Sequence, residues 1–128
     1  MLTLSHGASA AGNSLKLAGP TSNKLGTNFN FLVTGSASAP ANHVVAFEQV
    51  DKVNGCASTF AAEAVRLIIE NSTYGVYLWD NVAASGTYSV TARFGADHPG
   101  VHGICAYLIN LSTGTTYANA GVFWTNHS

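Results

Sequence analysis

Short stretches in which polar and apolar residues alternate recur along the chain at intervals of about ten residues. The clearest is residues 28–35, where Phe29, Phe31 and Val33 fall on one side of an extended strand. Further strands are predicted at residues 13–17, 43–50, 76–79, 86–94, 101–109 and 115–125. Gly, Pro, Asn and Asp, the residues typical of turns, separate these stretches. The pattern predicts an all-β protein, an antiparallel sandwich or barrel of about seven to nine strands.

The 128 residues suit one domain. Residues 1–12 are small and polar without periodicity, which predicts a flexible N-terminal arm before a domain over residues 13–128. Residues 59–70 are ambiguous, because Ala, Glu and Leu favour a helix whereas Val and Ile favour a strand. We expect one short helical turn there that leads into a strand, followed by a hairpin connection at residues 71–75.

Cys56 and Cys105 are the only cysteines in the chain. In an oxidising compartment they would form a disulfide that closes a loop of about 50 residues and staples the domain across its core. The count alone does not separate such a bridge from two buried thiols. The amino terminus lacks the basic and apolar regions of a secretory leader. Two explanations are open: a leader has been removed, or the protein reaches an oxidising milieu in another way, as in a released virus particle.

Charged residues make up 9% of the chain, and the formal net charge is −1 at pH 7. This is well below the usual charged fraction of about a quarter, and hydroxyl and amide side chains take the place of Lys and Glu. Without a basic field to hold phosphates, nucleic acid is excluded as a partner. No apolar stretch is long enough to span a bilayer, so membrane insertion is not expected.

Three segments carry a resemblance to a known class of domain: GCASTFAAEA at residues 55–64, GTYSV at residues 86–90 and PGVHGICAYL at residues 99–108. They resemble bacterial immunoglobulin-like domains of actinobacterial exported proteins, and the likeness covers most of residues 27–125. The resemblance implies an immunoglobulin-like antiparallel β-sandwich and a Cys56–Cys105 bridge. It departs from the antibody pattern, because Gly103 stands where antibody domains have a Tyr two residues before the second Cys.

The sequence offers little catalytic or metal-binding chemistry. His98 and His102 lie close together beside Asp97, but the Pro99–Gly100 turn between them breaks the helical spacing that a shared metal would need. No strained Gly-x-Ser-x-Gly turn is present. The six carboxylates suit turns and strand faces better than a glycosidase pair. We therefore predict that the protein is not an enzyme, and that it binds no metal and no cofactor; a hydrolase is the opposing hypothesis.

Aromatic residues give the better functional lead, since a core of this size cannot hide them all. The candidate interface residues are Tyr74, Tyr77, Trp79, Tyr107, Tyr117 and Trp124. Exposed aromatics anchor protein interfaces or stack on sugar rings. The alternative is that Trp79 and Trp124 fill the two ends of the sandwich.

These observations predict a non-catalytic immunoglobulin-like binding or structural module that makes protein–protein contacts and stabilises an assembly. The partner would be another protein or a second copy of the chain, on an extracellular or cell surface. One alternative is a phage virion structural protein, either a capsid decoration or a tail protein. Another is a carbohydrate-binding module that uses Trp79 or Trp124 as a stacking platform, with a glycan as its ligand.

Overall fold

The computed structural model describes residues 2–6, 12–49, 55–66, 73–82 and 85–128, with the backbone alone for residues 2–6, 73–77 and 85. The described residues form nine strands and one short helix. In chain order they are β1 (Leu2–His6), β2 (Lys16–Pro20), β3 (Ser22–Lys24), β4 (Asn28–Ser38), β5 (His43–Gln49), α1 (Phe60–Val65), β6 (Thr73–Asn81), β7 (Ser85–Gly95), β8 (Gly100–Ile109) and β9 (Thr116–His127). None of the described residues forms a helix with the length and hydropathy needed to cross a membrane.

Two sheets face each other. One has four strands in the order β1-β2-β4-β7, and the other has five in the order β3-β9-β8-β5-β6. Neighbouring strands are antiparallel, except that β3 runs parallel to β9. The predicted antiparallel β-sandwich of seven to nine strands with one short helical turn is confirmed.

The main core lies between the sheets and follows the alternation of the sequence. On β4, Phe31 and Val33 are fully buried and Phe29 packs against them, as the pattern of residues 28–35 predicts. On the facing sheet, β8 contributes Ile104, Ala106 and Leu108. Burial of these apolar side chains is the main stabilising contribution to the sandwich.

A second apolar cluster covers the opposite face of the five-stranded sheet. It consists of Val45 and Phe47 from β5 and Cys105, Tyr107 and Ile109 from β8, with Cys56, Phe60 and Ala64 packed on top. Every residue of β5 is buried because both of its faces are covered. This explains why residues 44–47 in the middle of β5 form an uninterrupted apolar run instead of alternating with polar residues.

Several local expectations need correction. The sequence predicts a flexible arm over residues 1–12, but Leu2–His6 pair with β2 as an edge strand; residues 7–11 lie outside the described residues. Strand β3 has three residues, too few for any alternation to show. In the ambiguous region the helix is confirmed at Phe60–Val65, whereas the strand expected near residues 67–70 falls outside the described residues.

Gly103 departs from the antibody pattern for a steric reason. A Cβ atom at this position would come within 2.6 Å of the Phe123 ring on the neighbouring strand. Because real contacts are never that short, any side chain here would displace Phe123. The tyrosine found at this place in antibody domains does not fit this sandwich.

Candidate functional site

The Cys56–Cys105 disulfide is present, with a Cα–Cα distance of 5.5 Å, which confirms the predicted bridge. Its position differs from the expected one. Cys105 belongs to the outer cluster on β8, and Cys56 precedes α1, so the bridge attaches the helical segment to the outside of the five-stranded sheet. It does not join the two sheets across the core.

Buried hydrogen bonds fix the same segment. Glu63 of α1 is fully buried, and its carboxylate accepts a hydrogen bond from the backbone N–H of Ala57 at 2.9 Å. The Tyr107 hydroxyl donates to the carbonyl of Ala57 at 2.6 Å and lies 3.4 Å from the Glu63 carboxylate. Burial, followed by the negative charge of Glu63, raises the pKa of Tyr107 above its usual value. The helical segment is thus held covalently and by a polar network at one place.

Tyr107 is therefore not an interface residue. Its exposed fraction is 0%, because α1 and the segment before it cover this part of β8. The residue lies in the uninterrupted apolar run of β8, and such a run is typical of a strand that is buried on both faces. That signal could have placed Tyr107 inside from the sequence.

Trp124 is also inside, with an exposed fraction of 2%. Its ring lies between the sheets, with ring centroids 5.1 to 5.2 Å from those of Phe29, Phe31 and Phe94. The alternation of Ala118, Ala120, Val122 and Trp124 along β9 points all four residues to the core. The prediction that Trp124 belongs to a surface patch is wrong, and so is its use as a sugar-stacking platform.

Trp79 on β6 is the exposed aromatic residue that the interface hypothesis requires, with 52% of its surface accessible. Two rings support it on the outer side of the five-stranded sheet. The centroid of His43 lies 4.8 Å away at an interplanar angle of 64°, and that of Phe60 lies 6.2 Å away at 62°. We call these three residues the Trp79 surface.

His43 is held in a fixed orientation beneath Trp79. It is buried, and its Nδ1–H donates to Oδ1 of Asn81 at 2.9 Å across the β5–β6 pair. Phe60 is fixed in turn, because its backbone N–H donates to Thr116 Oγ1 at 2.9 Å. The exposed indole ring therefore rests on a rigid base, which reduces the entropy lost when it packs against a ligand.

The remaining aromatic candidates do not join this surface in the described part of the chain. Tyr117 is half-buried and packs against the main core. Tyr74 and Tyr77 are placed on β6 by their backbone, and their side chains lie outside what the structure describes.

A buried histidine–carboxylate pair at one end of the sandwich was not predicted. His102 Nδ1 lies 3.2 Å from Glu48 Oε2, and His102 Nε2 lies 3.3 Å from the carbonyl oxygen of Pro99. The His102 ring stacks on Trp124 with centroids 6.3 Å apart. The pair links β5, β8 and the preceding turn inside the protein.

The structure separates His98 from His102. His98 is exposed on the turn between β7 and β8, whereas His102 is buried. Within the described residues there is no group of three or more His, Cys, Asp or Glu side chains that could hold a metal ion.

Comparisons with solved structures agree on the architecture. The CARDB domain of a Pyrococcus furiosus protein, solved in complex with di-metal ions, matches over 94% of this chain and 93% of its own, at 10% identity and a TM-score of 0.55. The chain has an immunoglobulin-like β-sandwich fold. At this identity the likeness shows the fold alone. No protein family and no curated protein matches the chain in sequence.

Enzymes share this sandwich as part of larger chains. The β-glucosidase of Listeria innocua matches over the whole of this chain at 14% identity, with TM-scores of 0.53 for a mutant bound to laminaribiose and 0.51 for the glucose complex. The chain spans 16% of the length of those enzymes. These matches contradict the prediction that the protein is not an enzyme, because the fold also occurs within enzymes and cannot set this chain apart from them. They assign no catalytic residue to it.

Proposed function

We propose that this protein is a binding module that self-assembles on an extracellular or particle surface, with the Trp79 surface as its contact. The observation that supports this proposal most directly is the 52% exposure of Trp79 on a base formed by His43 and Phe60. Tryptophan is among the residues that contribute most to binding energy at protein interfaces. A rigid, half-exposed indole ring is suited to that role.

The charge of the chain supports a second copy as the partner. With a formal net charge of −1 at pH 7, two copies repel each other weakly. Val65 of α1, the helix that carries Phe60, is a second exposed apolar residue, with 46% of its surface accessible. A copy that buries both apolar side chains would gain hydrophobic energy with little electrostatic opposition.

The disulfide supports the proposed location. Bridges of this kind persist in oxidising environments such as the outside of cells and virus particles. We propose an extracellular or cell-surface location, with a virion component such as a capsid decoration or tail protein as the alternative.

Sedimentation equilibrium over a wide range of protein concentrations tests the self-assembly. The wild-type weight-average mass should rise with concentration, and Trp79→Ala should weaken the association about 30-fold, equivalent to about 2 kcal/mol for a central interface residue. Leu32→Ala is the matched control, because Leu32 is 42% exposed on β4 of the other sheet. A wild-type protein that stays monomeric, or equal effects of the two substitutions, would overturn the proposal.

A glycan ligand at the same surface is the second candidate. Asn81 is exposed two residues along the same strand and therefore on the same face as Trp79. Its Oδ1 accepts from His43, and its amide N–H groups could donate hydrogen bonds to a sugar whose ring stacks on the indole. Soluble neutral oligosaccharides should then change the fluorescence of Trp79, and Trp79→Ala should abolish the change. An unaltered wild-type spectrum at saturating oligosaccharide would exclude this candidate.

A further inference from the structure

The outer face of the four-stranded sheet is a second surface, on the opposite side of the molecule from Trp79. Because side chains alternate along a strand, the residues between the core positions of β4 and β7 point outward. Most carry hydroxyl or amide groups around one apolar side chain: Asn30, Leu32, Thr34, Ser36, Ser89 and Thr91. The described helix lies on the other sheet, and no described element covers this face.

Among the described residues, the charges on this face have one sign. Lys16 on β2 and Arg93 on β7 are its cations, and neither forms an ion pair within the described part of the chain. The described carboxylates lie elsewhere: Glu48 and Glu63 are buried against the five-stranded sheet, Asp80 is on β6, and Asp97 is in the turn after β7. The face is therefore complementary to a ligand with separated negative charges.

The register gives the distance between the two cations. Arg93 pairs with Asn30 and Lys16 pairs with Thr34, so their positions differ by four residues along β4. At about 3.3 Å per residue along the strand and about 4.8 Å per strand spacing across two spacings, the Cα atoms lie about 16 Å apart. Each cation also lines a shallow cavity, of about 360 Å³ beside Arg93 and about 320 Å³ beside Lys16.

We propose that this face binds an acidic polysaccharide, a polymer of hydroxylated sugars that carries carboxylates. Its spaced charges would pair with Arg93 and Lys16, and its hydroxyl groups would exchange hydrogen bonds with the Asn, Ser and Thr side chains between them. Leu32, which is 42% exposed among these polar groups, offers an apolar contact for the C–H face of a sugar ring. The surface is thus suited to a ligand that is both hydroxylated and anionic.

Other polyanions fit the face less well. A single-stranded nucleic acid stacks its bases on exposed aromatic side chains. The outward residues described on β4 and β7 include no aromatic, and the rings of Phe29 and Phe94 that border the cavity beside Arg93 pack in the core. A peptide in extended form adds to a sheet through its backbone at an edge. Arg93 lies on the edge strand β7, but Lys16 lies two strands away on β2, so a peptide added along β7 would not lie over both cations.

Affinity electrophoresis tests this proposal, with polygalacturonate in the gel as the acidic polymer and dextran as the neutral one. Polygalacturonate should retard the wild-type protein at low salt, whereas dextran should not. The double variant Lys16→Ala/Arg93→Ala should bind about tenfold more weakly or worse, since two charge-assisted contacts are lost. Lys24→Ala is the matched control, because Lys24 is an exposed lysine on β3 of the other sheet.

Each outcome decides the question. The site is supported if polygalacturonate retards Lys24→Ala normally but no longer retards the double variant. If both variants lose retardation equally, net charge alone explains the binding and the proposal is overturned. No retardation of the wild type also overturns it. Equal retardation by polyglutamate would assign the face to acidic peptides instead. Trp79→Ala should bind polygalacturonate normally, so this result is independent of the self-assembly proposed above.

Discussion

Cys56 and Cys105 join the segment before α1 to the middle of β8, on the outer face of the five-stranded sheet. Gly121 on the neighbouring strand leaves room for the bridge, since a Cβ atom there would lie 2.5 Å from Cys56 Sγ. The disulfide therefore fixes the layer that supports Trp79, because Phe60 of α1 is one of the two rings beneath it.

Removal of the bridge should destabilise the outer layer before the core. For a sequence separation of 49 residues, the chain-entropy estimate gives a loss of about 4 kcal/mol in the free energy of unfolding for Cys56→Ala/Cys105→Ala. Amide hydrogen exchange should accelerate most in residues 55–66, which lose their attachment and open locally, and less in β4, where exchange through global unfolding rises only in line with that loss. An even acceleration through both sheets would show that the bridge stabilises the whole sandwich instead.

Two buried tyrosines should make the protein less stable at alkaline pH. Burial raises the pKa of Tyr88, and burial with the nearby Glu63 charge raises that of Tyr107, above the ordinary value of about 10. The unfolded chain then loses these protons at lower pH than the folded one, so the free energy of unfolding falls as pH rises above about 10. The limiting slope is about 1.4 kcal/mol per pH unit for each tyrosine.

Urea unfolding on both sides of that pH measures this slope. Tyr88→Phe and Tyr107→Phe should each make it shallower, even though each variant also loses a hydrogen bond, to Ser14 in one case and to Ala57 in the other. Slopes identical to that of the wild type would contradict the claim that these two tyrosines cause the loss of stability at alkaline pH.

Substitution of the two tryptophans should lower the free energy of unfolding to very different extents. Trp124→Ala removes a ring from the aromatic core and should lower the free energy of unfolding by about 3–5 kcal/mol. Trp79→Ala removes a half-exposed ring and should lower it by less than about 1 kcal/mol. Thermal unfolding of both variants checks this difference. Comparable losses would mean that Trp79 is chiefly structural.

The Glu48–His102 pair should be sensitive to the loss of either partner. Glu48→Ala or His102→Ala removes one side of this buried contact and should cost about 1–3 kcal/mol. The double variant should cost less than the sum of the two single variants, because the residues interact directly. Additive effects in this double-mutant cycle would show that the contact contributes nothing to stability.

The sequence predicts most of the strands, because alternating patterns such as Phe29, Phe31 and Val33 mark one buried face. It predicts neither β1, which lacks periodicity, nor the short β3. It also gives both Trp79 and Trp124 as candidate interface residues, without showing that one is exposed and the other is buried. Alternation along β9 places Trp124 in the core, whereas the exposure of Trp79 depends on where α1 packs. The buried Glu63 and Glu48 are set by tertiary contacts between distant segments, which composition and spacing do not reveal.

Iodide quenching of tryptophan fluorescence across a range of protein concentrations tests the central claim most directly. The chain has two tryptophans, and Trp124 is buried, so the fluorescence that iodide can quench comes from Trp79. If copies associate through the Trp79 surface, quenching should be strong in dilute protein and should fall as concentration and mass rise together. Quenching that stays unchanged while the mass rises would place the contact elsewhere and contradict the account.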